Sequence, residues 1–499
     1  MPTANGRENC TLTSPIDARH ELKRGLWWMG GATLAMRLLD VAGTLIVLQF
    51  LGPREMGVAT LAWSLSVAME AFNGLGVGQV LVRQKEMSHR ELSGLFWFCT
   101  LLGLAAVAVM AAVAPFVAVF YADWRLYPMI VVAATKLIFV GAALVPLQLL
   151  TRDLDFKTSG AAQTIATLGE SVTKVVLVLA GLGAWGLVLA NAGRGLFLMV
   201  ALWRLAPFRP SFTAADDSTR RSIRFGLRVA AGSIIYQVYR NMDFLLVGRF
   251  LGTSAVGIYR VAWDLGMTPL EIVVNLVNRV QYPIYAKLQE HAEELKAAFY
   301  RSAQSLLLTL GPVVALICFA SPDILSLIGH GRWLAAAPLV QILVWASLLR
   351  GVAQLFPALY IATGHPHYTV YDSLVTGGTL VLGFLLALVI APPETATIWV
   401  ALVWLLSYPL ALALHFTLVR RTAPITPGSM ARSLASAALG LLVMSLVLAV
   451  ASTLRALVGS PVLTLVMLVT VGLATYMVFL RKVLHLKPGH LLPRRAEES

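Results

Sequence analysis

Apolar runs of 18 residues or more, separated by short polar breaks, follow one another almost without pause from Leu26 to Leu480. Each run is long enough to cross roughly 30 Å of hydrocarbon as a helix, and none shows the every-second-residue alternation of a membrane barrel. Backbone polar groups find no water in lipid, so helices are the spanning elements this pattern predicts. Reading runs against breaks gives about 14 spans: 25–50, 57–82, 92–120, 126–150, 160–181, 185–206, 225–249, 257–280, 301–322, 334–362, 368–391, 396–419, 431–453 and 459–480. The longest breaks are 207–224 and 281–300. In the second, Ile284, Leu288, Ala292, Leu295 and Phe299 recur at helical spacing among Lys, Gln and Glu, the pattern of a helix lying on the membrane surface or of a packed linker.

One stretch is written twice. Residues 50–63 read FLGPREMGVATLAW and residues 250–263 read FLGTSAVGIYRVAW, with Phe50/Phe250, Leu51/Leu251, Gly52/Gly252, Gly57/Gly257, Ala62/Ala262 and Trp63/Trp263 identical, and Leu65/Leu265 beyond them. The copies join the first span to the second and the seventh to the eighth. Six crossings separate them, and an even number puts both corners on the same face, so the repeat is parallel, about an axis along the membrane normal. In each copy the first Gly can cap the incoming helix in a left-handed conformation, and the second lets the returning helix start close by. The span before each corner also carries an Arg and an Asp three residues apart, Arg37/Asp40 and Arg240/Asp243. The expected fold is an all-α integral membrane protein in which two six-helix bundles meet at a seam. Its divisions are a tail at 1–24, a first lobe at 25–206, a linker at 207–224, a second lobe at 225–420, two last spans within 421–480 and a tail at 481–499.

Composition agrees: 58% of the 499 residues are apolar, 13% are charged and the mean hydropathy is +0.76, more than a soluble domain of this length needs to fill its core. Lys and Arg sort strongly between alternate loops. The two tails and the breaks near 83–90, 152–157, 204–224, 287–301 and 420–432 hold 25, and the opposite side holds five: Arg54, Arg125, Arg249, Arg332 and Arg455. The positive-inside rule makes the richer side, with both termini, cytoplasmic. Most of the +14 net charge is this asymmetry, so no nucleic-acid partner is called for. The first 24 residues are polar, with no apolar stretch before a cleavage site, and no removable signal peptide is expected. Cys10, Cys99 and Cys318 are too scattered for a disulfide framework or a metal cluster.

Charges within the spans narrow the function. Arg37, Asp40, Glu70, Lys136, Glu170, Lys174, Arg240, Asp243, Arg260, Asp264, Glu271 and Arg350 fall inside apolar runs. Each costs about 2.5–3.5 kcal/mol at mid-membrane on insertion scales, so each needs a watery cavity or a partner. Arg37/Asp40, Glu170/Lys174, Arg240/Asp243 and Arg260/Asp264 are spaced for neutralisation within one helix. Lys136, Arg350, Glu70 and Glu271 have no opposite charge within a turn and need a cross-helix partner or a ligand. A cavity holding Arg and Lys in low dielectric binds phosphate or pyrophosphate strongly. Carboxylates beside them, Asp40, Glu70, Asp243, Asp264 and Glu271, can take up and release a cation or proton. The combination points to an anionic, lipid-linked substrate moved by exchange against an ion. No P-loop, nucleophile elbow, HExxH or paired-Cys pattern is present, so neither catalytic residues, nor a metal, nor a cofactor is expected. His365-Pro366-His367 and Gly181-Leu182-Gly183 read as turns.

The two FLGxxxxG corners, TRDLDFKTSG at 151–160, GLGAWGLVLA at 181–190 and GRWLAAAPLVQILVWASLLRGVAQLFPALYIATGHPH at 331–367 resemble the polysaccharide transporter family of the multidrug/oligosaccharidyl-lipid/polysaccharide flippase superfamily, in particular its lipopolysaccharide and exopolysaccharide flippases. The resemblance runs from about residue 20 to 480. It implies two six-helix lobes forming a V around a central cavity, two extra C-terminal helices, and alternating-access transfer of undecaprenyl-pyrophosphate-linked oligosaccharide across a bacterial inner membrane, beside a polymerase and glycosyltransferases of one pathway. It also implies cationic cavity residues for the pyrophosphate; Arg37, Lys136, Lys174, Arg240, Arg260 and Arg350 are placed to serve, though no motif fixes them one by one. A drug/cation antiporter of the same superfamily would favour a carboxylate-dominated cavity, whereas six cations here face six acids. A polysaccharide polymerase or ligase would need a sizeable outward loop, which the spacing of the spans does not provide. The orientation is tested by cysteines placed at Pro53 and Ser218. An impermeant thiol reagent should mark only the first in intact cells, and equal marking of both would reverse the assignment.

Overall fold

The computed structural model describes residues 40–74, 77–78, 81, 87–153, 155–212, 217, 219–224, 239–420 and 423–482. Arg37 with its pairing to Asp40, the 1–24 tail, Ser218 and all but the first two residues of the 481–499 tail lie outside them. Among the described residues every regular element is a helix. In chain order these are α1 (Asp40–Phe50), α2 (Pro53–Asn73), α3 (His89–Phe120), α4 (Leu126–Arg152), α5 (Phe156–Leu179), α6 (Ala184–Leu205), α7 (Met242–Leu251), α8 (Thr253–Lys287), α9 (Ala292–Leu327), α10 (Ala337–Ala353), α11 (Phe356–Ala362), α12 (His367–Ile390), α13 (Ala396–Val419), α14 (Pro427–Thr453), α15 (Arg455–Val458) and α16 (Pro461–Lys482).

Ten stretches among the described residues are long and apolar enough to cross a membrane: α3 to α6, α9, Leu334–Ala362, α12, α13, α14 and α16. The sequence reading expected about 14. The first and seventh expected spans are described only from Asp40 and Tyr239 onward. Helices α2 and α8 have the length but not the apolarity. Thr60, Ser64 and Ser66 on α2 are buried, and α8 carries Arg260, Asp264 and Glu271. Both helices turn polar faces toward protein rather than lipid.

Of the two readings of 281–300, a surface helix or a packed linker, the surface helix is not met as a separate element. Helix α8 runs on to Lys287 and α9 starts at Ala292, so the apolar repeat belongs to the ends of two long helices joined by a tight turn. Leu295 and Phe299 are buried there against Tyr285 and Phe356. The Leu334–Ala362 stretch is broken after Ala353, where Pro357 lacks the N–H that Ala353 would need to continue the helix.

The repeated corners meet each other. Gly57 and Gly257 lie face to face where α2 crosses α8, so closely that a Cβ on Gly57 would stand 1.7 Å from the Thr253 carbonyl oxygen and one on Gly257 1.9 Å from that of Pro53. Small residues permit this kind of backbone approach between membrane helices. The first glycine of each corner differs: Gly252 uses φ +83, whereas Gly52 is extended at φ −91 and receives the Glu55 carboxylate on its N–H. At the same end, residues 328–333 grip the end of α1. Trp333 Nε1 donates to Leu48 O at 2.9 Å, Arg332 to Gln49 O at 2.7 Å, and the Gly329 N–H to Gln49 Oε1 at 2.8 Å. Gly329, His330 and Gly331 all have positive φ, which turns the chain tightly enough for these bonds. Tyr121 Oη adds a bond to Leu245 O at 2.9 Å. In the turn before α4, hydrogen bonds from Arg125 hold the Asp123 carboxyl below its ordinary range.

The C-terminal hairpin docks on α9. Leu441, Met444, Leu448 and Leu468 join its apolar cluster, Tyr476 Oη donates to Leu308 O at 2.6 Å, and Arg455 pairs with buried Asp323 at 2.8 Å. At the far end from the corners, the segment after α6 lies on the start of α3, with Trp97 Nε1 donating to Ser211 O and Ser222 Oγ to Glu91.

The crossing gives a direct test. Gly57→Ala and Gly257→Ala should each lower stability by about 1–3 kcal/mol, the range for overpacking a filled contact. Gly52→Ala, whose Cβ meets open space at a permitted φ, should change it by under about 0.5 kcal/mol. Thermal unfolding of the three purified variants reads this, and equal losses at 52 and 57 would refute the account.

Candidate functional site

Charged side chains within the helices are joined across helices far more than along them. Lys174 on α5 reaches Asp40 on α1 at 3.1 Å and Thr44 Oγ1 at 2.9 Å. Lys136 on α4 pairs with Glu70 on α2 at 2.6 Å. Glu170 on α5 pairs with Arg194 on α6 at 3.0 Å. Arg240, just before α7, pairs with Glu271 on α8. Of the expected along-helix pairs that fall among the described residues, only Arg260 and Asp264, at 3.0 Å on α8, form. The expected local pairs Glu170/Lys174 and Arg240/Asp243 are therefore replaced by cross-helix ones. On a helix the i,i+4 partner is near but equally exposed, whereas a facing helix offers a partner already out of lipid.

Two of these pairs, Lys174–Asp40 from the N-terminal half and Arg260–Asp264 from the C-terminal half, approach each other where the halves meet. The Arg260 guanidinium lies 5.3 Å over the Trp63 ring of α2 and 5.6 Å over Phe244 of α7. Asp264 lies within electrostatic reach of Asp40 and Lys174. The pairs stay partly open, with Lys174 10% and Asp40 35% exposed, as expected of groups lining a space between helices rather than a sealed core.

Deeper in the C-terminal half, Asp243 is fully buried. It accepts from Tyr259 Oη at 2.8 Å, from the Phe244 N–H at 2.9 Å and from Trp404 Nε1 at 3.3 Å, and Tyr259 and Trp404 bond each other at 2.9 Å. Arg350 lies over the rings of Trp263 and Trp404 and within electrostatic reach of Asp243. The recurring Trp63 and Trp263 thus each carry a guanidinium on their face, where the ring quadrupole attracts it.

Sequence reasoning missed Arg194, Thr44, Tyr259 and the tryptophans. Arg194 was legible: with a turn at 180–183, Glu170 and Arg194 fall at nearly equal depth on an antiparallel pair. The doubled Trp63/Trp263 was visible in the repeat but was not read as a cation platform. An apolar groove of about 390 Å³ between α5 and α6, lined by Ile165, Leu196, Phe197, Val200 and Arg204, lies apart from the pairs. Among the described residues no group of three His, Cys, Asp or Glu side chains is placed to hold a metal ion.

Known proteins share this arrangement of helices. Lipid II flippase MurJ, in an inward closed conformation, matches with TM-score 0.71 at 11% identity over 92% of this chain and 99% of that one. An inward-facing multidrug resistance transporter of the MATE family, in the MOP superfamily, matches with TM-score 0.64 at 14% identity over 77% and 94%. At these identities the likeness establishes the fold. In sequence, the lipopolysaccharide biosynthesis protein WzxC of Escherichia coli (strain K12) is 23% identical over 351 residues, 70% of this chain and 71% of that protein. A sequence profile described as polysaccharide biosynthesis protein matches residues 46–338, more than half of the chain. The chain belongs to the polysaccharide biosynthesis protein family.

Proposed function

We propose that this protein is a flippase that carries undecaprenyl-pyrophosphate-linked oligosaccharide across the bacterial inner membrane by ion-coupled alternating access, acting as a transporter and not as an enzyme. The observation that carries the reading is the approach of two cation–carboxylate pairs, Lys174–Asp40 and Arg260–Asp264, one from each half, where the halves meet. The membrane architecture, the family and the flippase and transporter folds that resemble it support the same conclusion. In this reading 14 helices form two six-helix lobes and a C-terminal hairpin, the corners face outward and both termini face the cytoplasm. The reciprocal contact of Gly57 and Gly257 supports the parallel repeat, and the distribution of Lys and Arg supports the orientation.

The pairs supply a mechanism. Lys136, Lys174, Arg240, Arg260 and Arg350, with Arg37, receive the diphosphate; Asp40, Glu70, Asp243, Asp264 and Glu271 receive the coupling ion. A diphosphate that takes Lys174 or Lys136 away from its carboxylate leaves that carboxylate uncompensated in low dielectric. The carboxylate then binds a proton or metal cation, so the occupancies of substrate and ion are linked through each pair. The interlobe contacts at the corner end hold that end closed, which leaves the substrate to enter from the other.

Transfer is measured in proteoliposomes carrying fluorescent lipid-linked oligosaccharide, by the fraction that a lectin or glycosidase reaches. Protein-dependent transfer is expected. Transport of cationic dyes without any of the lipid-linked sugar would instead assign the chain to cation antiport.

Lys136→Gln should lower stability by about 2 kcal/mol, less than the loss from breaking a fully enclosed pair, because the Glu70 side chain is 27% exposed. It should also abolish transfer. Adding Glu70→Gln should restore stability and leave transfer absent; recovery of both would make Lys136 a structural partner only.

A further inference from the structure

Three ionisable or polar side chains at the end of the C-terminal half away from the corners take no part in the pairs above. His415, near the end of α13, is 1% exposed and places Nε2 3.3 Å from Asp372 Oδ1 on α12. Its Nδ1 lies 2.9 Å from Tyr360 Oη on α11, and its ring stacks on Phe356 at 4.5 Å and 6°. Asp372 also accepts from Thr376 Oγ1 at 2.9 Å and is 18% exposed. The three residues lie 12 and 43 positions apart in sequence and tie three helices together at one point.

Counting protons shows what this arrangement does. A neutral imidazole has one N–H. With Tyr360 donating to Nδ1, the imidazole N–H sits on Nε2 and points at the carboxylate, which leaves a net charge of −1 inside the bundle. A single added proton neutralises the trio and removes the cost of a buried net charge. The site has room for that proton without moving a heavy atom. The Tyr360 hydroxyl also lies 3.4 Å from the His415 carbonyl oxygen, so it can rotate to donate there and accept from a protonated Nδ1. Alternatively the proton stays on Asp372, which is partly exposed in the second turn of α12.

We propose that Asp372, His415 and Tyr360 form a single-proton binding site whose occupancy sets the rate of substrate transfer; the second clause rests on the ion-coupled reading above and makes the trio a regulatory proton site in addition to the carboxylates named there. Other ionisable groups stand on the surrounding elements, among them Tyr371 on α12, against Tyr368, and Arg420 at the end of α13. Tyr368 of α12 stands edge-on to Tyr360, His365 lies in the preceding turn, stacked on Tyr368, and His367 is the first residue of α12. Tyr239, before α7, packs on Gly377, and the neighbouring Arg240 is held by Glu271. Asp243 of α7 and Arg350 of α10 meet α13 at Trp404, about three turns from His415.

The full-length protein in nanodiscs is titrated from pH 5 to 8 by infrared and ¹⁵N-histidine magnetic resonance. Expected, among the steps of the nine histidines and the carboxyls, is one step seen either as a carboxylic-acid band that Asp372→Asn removes or as an imidazolium signal that His415→Gln removes, and shifted in Tyr360→Phe. Retention of every wild-type protonation step, unshifted, in these variants overturns the site. In proteoliposomes the wild-type transfer rate should change at least fivefold across the same midpoint and lose that dependence in Asp372→Asn. An unchanged pH profile in that variant overturns the coupling role. Absence of transfer at every pH beside a clear spectroscopic titration would count against the flippase reading while leaving the proton site standing.

Discussion

Where α2 crosses α8 there is room for a hydrogen atom at Gly57 and Gly257 and for nothing larger. The close approach brings polar side chains further along the same two helices into reach of one another in an otherwise apolar molecule. Trp63, Arg260 and Asp264 lie beyond the crossing on the same two helices, and Asp40 and Lys174 approach from the flanking ones. Had either glycine carried a side chain, the two halves would stand apart at the corner and the bonds from residues 329–333 to Leu48 and Gln49 would lose their reach.

The ionic groups follow from the same geometry. A lone Lys or Arg facing lipid is expensive, and a pair on one helix leaves both members at the same depth and the same exposure. Pairs between helices avoid this: each group leaves lipid by meeting one that has already left it. Such pairs add little to stability compared with well-packed apolar residues of similar volume. Their worth lies in being exchangeable, since an incoming anion and an incoming cation can each replace one member.

Much of the fold could be read from apolar runs alone, because the requirement of lipid for about 20 consecutive apolar residues leaves a strong trace; α13 begins and ends where the 396–419 run does. The doubled corner was also legible, since glycine at a crossing is a chemical necessity rather than a preference. The ends of α8 and α9 were misread, because an amphipathic pattern at a membrane surface looks the same whether the helix stops there or continues into the bilayer. Helices α2 and α8 were counted from their length, though their polar faces keep them below the apolarity of a lone span. The charge pairs were the least legible. Glu70 and Lys136 are 66 residues apart, and nothing in the intervening sequence records that α2 lies against α4 at that depth. Asp372 and His415 were passed over for a plainer reason: a single histidine near the end of a span gives no hint of a partner on another helix.

The grip of residues 328–333 on α1 uses the main chain of its target almost throughout: Trp333 and Arg332 bond to the carbonyls of Leu48 and Gln49, and only the Gln49 amide supplies a side chain. A contact of this kind divides its sequence requirement unequally. On the α1 side, position 48 is free to drift among apolar residues, because every amino acid presents the same carbonyl. On the other side, the tryptophan, the arginine and the two glycines around His330 are all needed at once. Random mutation should therefore break this closure from one partner far more often than from the other, although the two share the same bonds.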